Sequence, residues 1–556
     1  MKLSPCTIKP SSTPFFFELW SPFNRQLNEA MKQLPGASNR KSDSGEWRHV
    51  FGADLIPIVE EVCLAIFKVK PTRAFKSERE HLGAGYNSDL RPYQVDYVSK
   101  AVTYGGAAAF FDMGLGKTPA ALTVARVLCH RDGRSAGAGK VLVITPPRVV
   151  LDFRTQVERW TSFGDDQVWP HKKTIGPKDA PAGSDTVAIL SFHRLHYILK
   201  SESWQAWLAD VKVVIVDEVQ NFKSYQAACT KNLTAVLKLI PSSVRLPLSG
   251  TPMPDRPKDI FQALHVCWPW LFGPFAIPPS ADRDGTKPPR ANFRDRYLRT
   301  EHNGYGLEVV GLNERYAPEL KARIAACSVR ATKEDWAHLL PPFLLHRIEV
   351  EAPKGRELWN EDRLTETEML AEMARLSEPK AAATIDHVLT VWRDEAPGKL
   401  AIVTYHRAVA EQITAALADA GLPTHLVMGG MSDFDQRIAE ATHPGEPAVL
   451  VATMDSIREG LNRLVCFSRF IFAELYFRSA SVAQAMGRFH RLTSTSPVTG
   501  DVVFCPGTLD ECIYQALSGK LNQIGQLIKQ GGAEAAIENL DGGGDDWQAA
   551  FRKALE

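Results

Sequence analysis

Cysteine is sparse and unpatterned in these 556 residues: nine, at positions 6, 63, 129, 229, 267, 327, 466, 505 and 512, with no C-x-x-C pair. That spacing excludes a zinc ribbon, and the odd count argues against a disulfide framework. No apolar run approaches the roughly 18–20 residues of a membrane helix. The N-terminus carries Lys2 but no continuous apolar stretch ahead of a small-residue cleavage site. An intracellular, reduced protein of cytoplasm or nucleoid, with no membrane partner, is the expectation. Charge of one sign is also lacking: 65 Lys and Arg face 64 Asp and Glu, a formal +1. The balance excludes a histone-like binder of nucleic acid through bulk charge, while leaving room for a locally basic cleft. There is no repeat of solenoid period and no histidine or cysteine cluster asking for a structural metal.

What remains is ordinary globular material, 44% hydrophobic and 23% charged. At roughly 100–200 residues per domain the length predicts three or four domains. Residues 1–75 alternate short apolar stretches with helical patterns (Asn28–Leu34, Ala53–Phe67) and read as a small α+β module. Lys70 to Asn87, with Pro71, Gly83 and Gly85, reads as a linker. From Leu90 apolar strands alternate with helices: Ala107–Phe111, Val141–Thr145, Val187–Ser191, Val211–Val216 and Arg245–Ser249, then Leu400–Thr404, Ala448–Ala452, Phe470–Ala473 and Val502–Cys505. Two such βα series predict an α/β protein with two doubly wound lobes in tandem. Between them lie a Pro-rich stretch, Gly273 to Arg290, and a helix-forming acidic stretch, Glu357–Leu376. The expected domains are 1–75, a first lobe at 85–347, a second at 348–530, and a flexible, glycine-rich tail at 531–556.

The strongest local signal is Asp112-Met113-Gly114-Leu115-Gly116-Lys117-Thr118, after a predicted strand and before a helix expected near Pro119. Gly114 and Gly116 allow the backbone to curl its N–H groups onto a phosphate, and the helix N-terminus favours the anion. Met113 and Leu115 complete the loop. Lys117 would reach the β- and γ-phosphates, and the Thr118 hydroxyl would bind Mg²⁺. One hundred residues on, Val213-Val214-Ile215-Val216 runs into Asp217-Glu218. An apolar strand delivers both carboxylates at the edge where α/β sheets bind ligands. Asp217 would hold Mg²⁺ and Glu218 would polarise an attacking water. Alone, the pair is as readily two charges capping a strand; the phosphate loop upstream decides for ATP.

Further segments carry a resemblance over some 470 residues. Leu90-Arg91-Pro92-Tyr93-Gln94, Thr145-Pro146-Pro147-Arg148, Ser191-Phe192-His193, Ser249-Gly250-Thr251-Pro252 and Arg330-Ala331-Thr332-Lys333-Glu334-Asp335 recur in this order. Thr404-Tyr405-His406, Ala452-Thr453-Met454-Asp455-Ser456 and Gln484-Ala485-Met486-Gly487-Arg488-Phe489-His490-Arg491 follow. The chain resembles the Swi/Snf-type superfamily-two ATPases, translocases on double-stranded DNA built from two RecA-like lobes. The resemblance implies that Gln94 pairs with adenine and that Arg488 and Arg491, three apart on one helix face, act as arginine fingers on the γ-phosphate. It also implies that Arg148, His193, Tyr405, His406 and Ser456 face DNA, and that ATP sits between the lobes. Ser249-Gly250-Thr251-Pro252-Met253-Pro254-Asp255-Arg256-Pro257 and Phe472-Ala473-Glu474-Leu475-Tyr476 resemble the HARP-type annealing-helicase, fork-remodelling branch. Pro22-Phe23-Asn24, Leu34-Pro35-Gly36 and Trp47 resemble its N-terminal domain, which implies binding to forked DNA or to single-strand junctions. Trp20, Trp47 and Phe15–Phe17 are candidates for base stacking, with a place in the core the commoner use.

There are departures from the family pattern. Phe111 stands where an acidic residue is usual, Gln220 replaces the usual histidine after Asp-Glu, and Ala120 replaces a frequent glutamine. Divergence and compact size point to a microbial, viral or mobile-element source. The expectation is a duplex-DNA-driven ATPase that remodels forks or anneals strands. A strand-separating DNA or RNA helicase is the first alternative and a catalytically inert DNA-binding scaffold the second.

Overall fold

The computed structural model describes residues 6–11, 16–33, 38–41, 47–52, 55–69, 71–73, 90–130, 139–161, 163, 165–170, 180–182, 186–222, 224, 226–250, 258–272, 275, 292–302, 307–332, 335–336, 341–353, 366–458, 462–476, 479–491, 494, 496–511 and 513. The Pro-rich stretch 276–290, the tail 531–556 and most of the expected linker lie outside them. The described chain divides into two compact units. One runs to Phe111 and takes in Gly116–Ala331; the other joins Asp112–Leu115 to Thr332 and beyond.

The first unit opens with a five-stranded sheet. Its strands are β1 (Thr7–Pro10), β2 (Phe16–Ser21), β3 (Ser38–Lys41), β4 (Trp47–Gly52) and β5 (Thr72–Arg73), in the order β3-β4-β2-β1-β5. Alternation along β2 buries Phe17 and Leu19 in one core with Leu27 and Met31 of helix Arg25–Gln33 and Val59 and Cys63 of helix Ile56–Phe67. The other face of β2, carrying Phe16, Glu18 and Trp20, stays half-buried. Strand β5 corrects the sequence reading: Thr72-Arg73 falls in the stretch taken as linker, yet pairs in parallel with β1.

The second sheet of this unit is parallel and contains β7 (Lys140–Thr145), β8 (Val168–Trp169), β9 (Val187–Ser191), β10 (Val211–Val216) and β11 (Val244–Pro247), in the order β11-β10-β7-β9-β8. Bridges Gly106↔Arg245 and Ala109↔Leu248 lay β6 (Ala108–Phe111) beside β11. A hairpin of β12 (Leu298–His302) and β13 (Leu307–Leu312) precedes β14 (Ser328–Ala331), which pairs with β6.

The second unit is one six-stranded sheet with every pairing parallel. It consists of β15 (Phe343–Glu349), β16 (Lys399–Thr404), β17 (Thr424–Val427), β18 (Ala448–Thr453), β19 (Arg469–Phe472) and β20 (Val498–Phe504), in the order β15-β20-β19-β16-β18-β17. Both faces are covered: Ala401 and Val403 of β16 enter one core, Leu400 and Ile402 another. That is why such strands read as unbroken apolar runs. The helix expected over Glu357–Leu376 spans Glu366–Glu395, with Pro379 inside it.

Candidate nucleotide and nucleic-acid site

Parallel strands place all their carboxyl ends on one edge, and in the first unit that edge gathers the predicted residues. Past Phe111 the chain needs a left-handed backbone at Gly114 (φ 88°) and Gly116 (φ 77°), which glycine adopts without steric cost. The following helix begins at Lys117, two residues before the expected start. Lys117 Nζ donates to the Phe111 carbonyl at 2.9 Å, and Thr118 stands in the first turn. Gln94 Nε2 donates to the Gly116 carbonyl at 2.9 Å, while its Oε1 accepts from Arg91 N–H at 2.8 Å. Gln94 is thus fastened to the loop it was expected to serve beside the base.

Two strands along, β10 ends in Asp217 and Glu218. Asp217 is buried and accepts from the Thr145 hydroxyl at 3.1 Å. Burial pushes its carboxyl up to about 7, the Glu218 charge adds to the rise, and Lys117 and the Thr145 hydrogen bond counter it. Glu218 holds φ at 47°, a conformation that costs a non-glycine residue about 1–3 kcal/mol. Gln220 Nε2 donates to Glu218 Oε2 at 2.6 Å, and Ser249 Oγ donates to Gln220 Oε1 at 2.7 Å. The residue that replaces the family's histidine therefore links Glu218 to the end of β11. For a divalent cation the donor set fits: Asp217 is a buried carboxylate beside the like charge of Glu218, which a cation would offset, and the Thr118 hydroxyl would supply a second oxygen.

In the second unit, helix Ser479–Phe489 presents Arg488, which is buried. Arg491 does not share that helix, as the spacing had suggested. The helix ends at Phe489, and Arg491 follows in a turn where its N–H donates to Ser494 Oγ at 3.0 Å and its Nε to the Gly487 carbonyl at 3.2 Å. The loop tip Asp112–Leu115 packs in this same unit: a Cβ added to Gly114 would stand 2.8 Å from Arg491 Cγ. Larger residues at Gly114 are excluded by contact as well as by backbone.

Of the residues assigned to DNA, Arg148 lies in the turn after β7 and His193, exposed, in the turn after β9. Both stand on the first unit's carboxyl edge. Tyr405 and His406 follow β16 on the corresponding edge of the second unit. Ser456 departs from expectation: it is fully buried, its hydroxyl 2.6 Å from Thr453 Oγ1, and it supports the end of β18 instead of facing a phosphate. Thr251–Pro257, Lys333-Glu334 and Glu459-Gly460-Leu461 lie outside the described residues. Trp20 sits beneath Lys9 (5.0 Å from Nζ to the ring centre), and Trp47 stacks on His49 and tilts against the exposed Phe23. Among the described residues no group of three metal-ligating side chains occurs, and no helix is long and apolar enough to cross a membrane.

One residue escaped the sequence reading. Glu474, at the end of β19, is buried and accepts four hydrogen bonds. Burial alone would raise its carboxyl, but donors from His406 and Ser377 hold it below the usual range. A glutamate closing the apolar strand Arg469–Phe472 was the available signal.

Curated proteins similar to this chain include proteins named as SWI/SNF-related regulators of chromatin and as DNA annealing helicases. A "SWI/SNF-related matrix-associated actin-dependent regulator of chromatin subfamily A-like protein 1 homolog" of Caenorhabditis elegans is 24% identical over 496 residues, covering 85% of this chain and 67% of that protein. Its Xenopus laevis counterpart is 24% identical, over 80% of this chain and 45% of the relative. "DNA annealing helicase and endonuclease ZRANB3" of Homo sapiens is 22% identical, over 82% and 42%. The chain thus spans less than half the length of these vertebrate relatives. Among solved structures, a Sulfolobus solfataricus SWI2/SNF2 ATPase core in complex with dsDNA aligns over 83% of this chain and 97% of that one, at 18% identity and a TM-score of 0.37. The family model described as "SNF2-related domain" matches residues 106–391, just over half of the sequence, and the chain belongs to that family.

Proposed function

We propose that this chain is a DNA-dependent ATPase that translocates on double-stranded DNA and remodels forks or anneals strands; its ZRANB3 relatives are named DNA annealing helicases. The observation that carries the reading is the single sheet edge uniting Lys117, Asp217, Glu218 and Gln220. Lys117 would exchange the Phe111 carbonyl for a phosphate oxygen. Glu218 Oε1, without a partner among the described residues, would accept the proton of the attacking water. Thr118 and Asp217 would hold Mg²⁺, which supplies charge neutralisation for the phosphates. Arg488 and Arg491 would stabilise charge on the transferred group.

Arg148, His193, Tyr405 and His406 would meet DNA mainly at phosphates, so binding should be indifferent to sequence and sensitive to salt. The half-buried face of β2, with Trp20 under Lys9 and Arg48 paired to Glu18, supports a role for the N-terminal module in gripping forked or single-stranded DNA. ATP as fuel and DNA as track agree with an intracellular site of action. The test is ATP turnover with no nucleic acid, single-stranded DNA, duplex, fork and RNA, with Glu218→Gln as the blank. Stimulation by duplex, and more by forks, is expected, with Glu218→Gln lowering turnover about 10²–10⁴-fold. Stimulation by single strands or RNA alone would refute the translocase reading.

A further inference from the structure

Strands β16 and β19 are neighbours, so the residues leaving their carboxyl ends, Tyr405-His406 and Ala473-Glu474, meet. Glu474 is 1% exposed, and both of its oxygens are fully used. Oε2 accepts from the backbone N–H groups of Tyr405 (2.9 Å) and His406 (2.8 Å). Oε1 accepts from His406 Nδ1 (2.7 Å) and the Ser377 hydroxyl (2.6 Å). Four donors match the four lone-pair sites of an ionised carboxylate.

Holding a backbone turn needs only an acceptor, which a neutral amide supplies. Burying a charge is costly unless something of opposite sign answers it. The His406 imidazole, a cation when protonated, is the group placed to give that answer. One carboxylate fixes both the main chain and the ring of His406, and Tyr405 bounds the ring edge-on at 5.0 Å and 87°. With Nδ1 committed, Nε2 is the ring's only other polar atom. It has no partner among the described residues, and the side chain is 27% exposed. The ring's one open nitrogen is therefore held at the carboxyl edge of a parallel sheet.

We propose that Glu474 is a positioning residue for the nucleic-acid grip of the second unit, aiming His406 through Nε2 at a backbone phosphate. This rests on the DNA reading above and names a residue that cannot itself touch the ligand. The test is duplex affinity of the full chain across a salt series, at mildly acid pH where a histidine carries charge. Each phosphate neutralised contributes about 0.9 to the slope of log affinity against log salt.

His406→Ala should reduce that slope by about 0.9. Glu474→Gln should do the same despite its burial, and the double variant should lose no more than either. A merely structural glutamate would lower the melting temperature without moving the slope. Either variant with the wild-type slope overturns the proposal. A measurement on the wild type covers the case in which Glu474→Gln does not fold: the ¹⁵N resonance of His406 Nε2 should move on adding duplex while Nδ1 stays. An unmoved Nε2 overturns it. A wild type that binds no duplex refutes the DNA reading instead, which separates the two failures.

Discussion

Gln220 offers a sharp perturbation, because its amide spans Glu218 and Ser249 with no intermediary. Truncation to alanine removes the donor 2.6 Å from Glu218 Oε2 and the acceptor for the Ser249 hydroxyl at 2.7 Å. The first is a hydrogen bond to a charged group, worth about 1.5–3 kcal/mol; the second is neutral, about 1 kcal/mol. If the first is needed to hold Glu218 in its proton-accepting pose, DNA-stimulated turnover of Gln220→Ala should fall about 10- to 100-fold. Ser249→Ala should cost about 5-fold, and the double variant little more than Gln220→Ala, since the two residues form one chain. Gln220→His, restoring the residue usual in the family, keeps a donor and an acceptor and should retain most of the activity. The assay is steady-state ATP turnover with and without saturating duplex. Wild-type turnover in Gln220→Ala, or losses that add independently, would refute the reasoning.

Other perturbations follow from the same geometry. Gly116→Ala places a Cβ 2.4 Å from Gln94 Nε2 at a φ of 77°; nucleotide affinity should fall at least about 10-fold in a fluorescent-nucleotide titration. Lys380 and Asp510 form a buried ion pair at 2.7 Å, so Lys380→Met should lose about 3–5 kcal/mol in urea unfolding by stranding the carboxylate. Asp501 would be raised by burial, but the His387 hydrogen bond and the Arg469 guanidinium hold it below the usual carboxylate range. A depressed acid stabilises the fold above its unfolded value and loses that contribution as pH falls through its folded one. The urea midpoint gap between wild type and Asp501→Asn should therefore shrink from about pH 5 toward pH 2. A gap that widens would contradict it.

The parallel core was legible because it is dry on both sides. Strands Val187–Ser191 and Val211–Val216 were readable to the residue, since the first is buried throughout and in the second only Lys212, near its start, faces solvent. Elements half in water escaped. Phe343–Glu349 mixes His346, Arg347 and Glu349 with its apolar residues and sits at a sheet edge. Thr72-Arg73 is two residues long in a Pro- and Gly-rich stretch. The long helix runs on past the expected end at Leu376, through Pro379, to Glu395. In the site, residue types named the phosphate loop and the carboxylate pair. The contacts Gln94–Gly116, Gln220–Ser249 and Glu474–His406 join residues 22, 29 and 68 positions apart, and only the folded sheet edges bring them together.

The pairing of β6 with β14 has a consequence for how this protein is made. Arg330 Nη1 reaches the Phe110 carbonyl across 220 residues of chain. The strand that feeds the phosphate loop is thus synthesised early but gains this edge partner only late. At about 5–20 residues per second, the ribosome leaves Ala108–Phe111 waiting roughly 10 to 45 s for Ser328–Ala331. Through that interval an apolar strand edge is open to chaperones, or to a neighbouring nascent chain. Chains stopped short of Ala331 would carry every residue of the loop, yet lack the strand that closes its sheet.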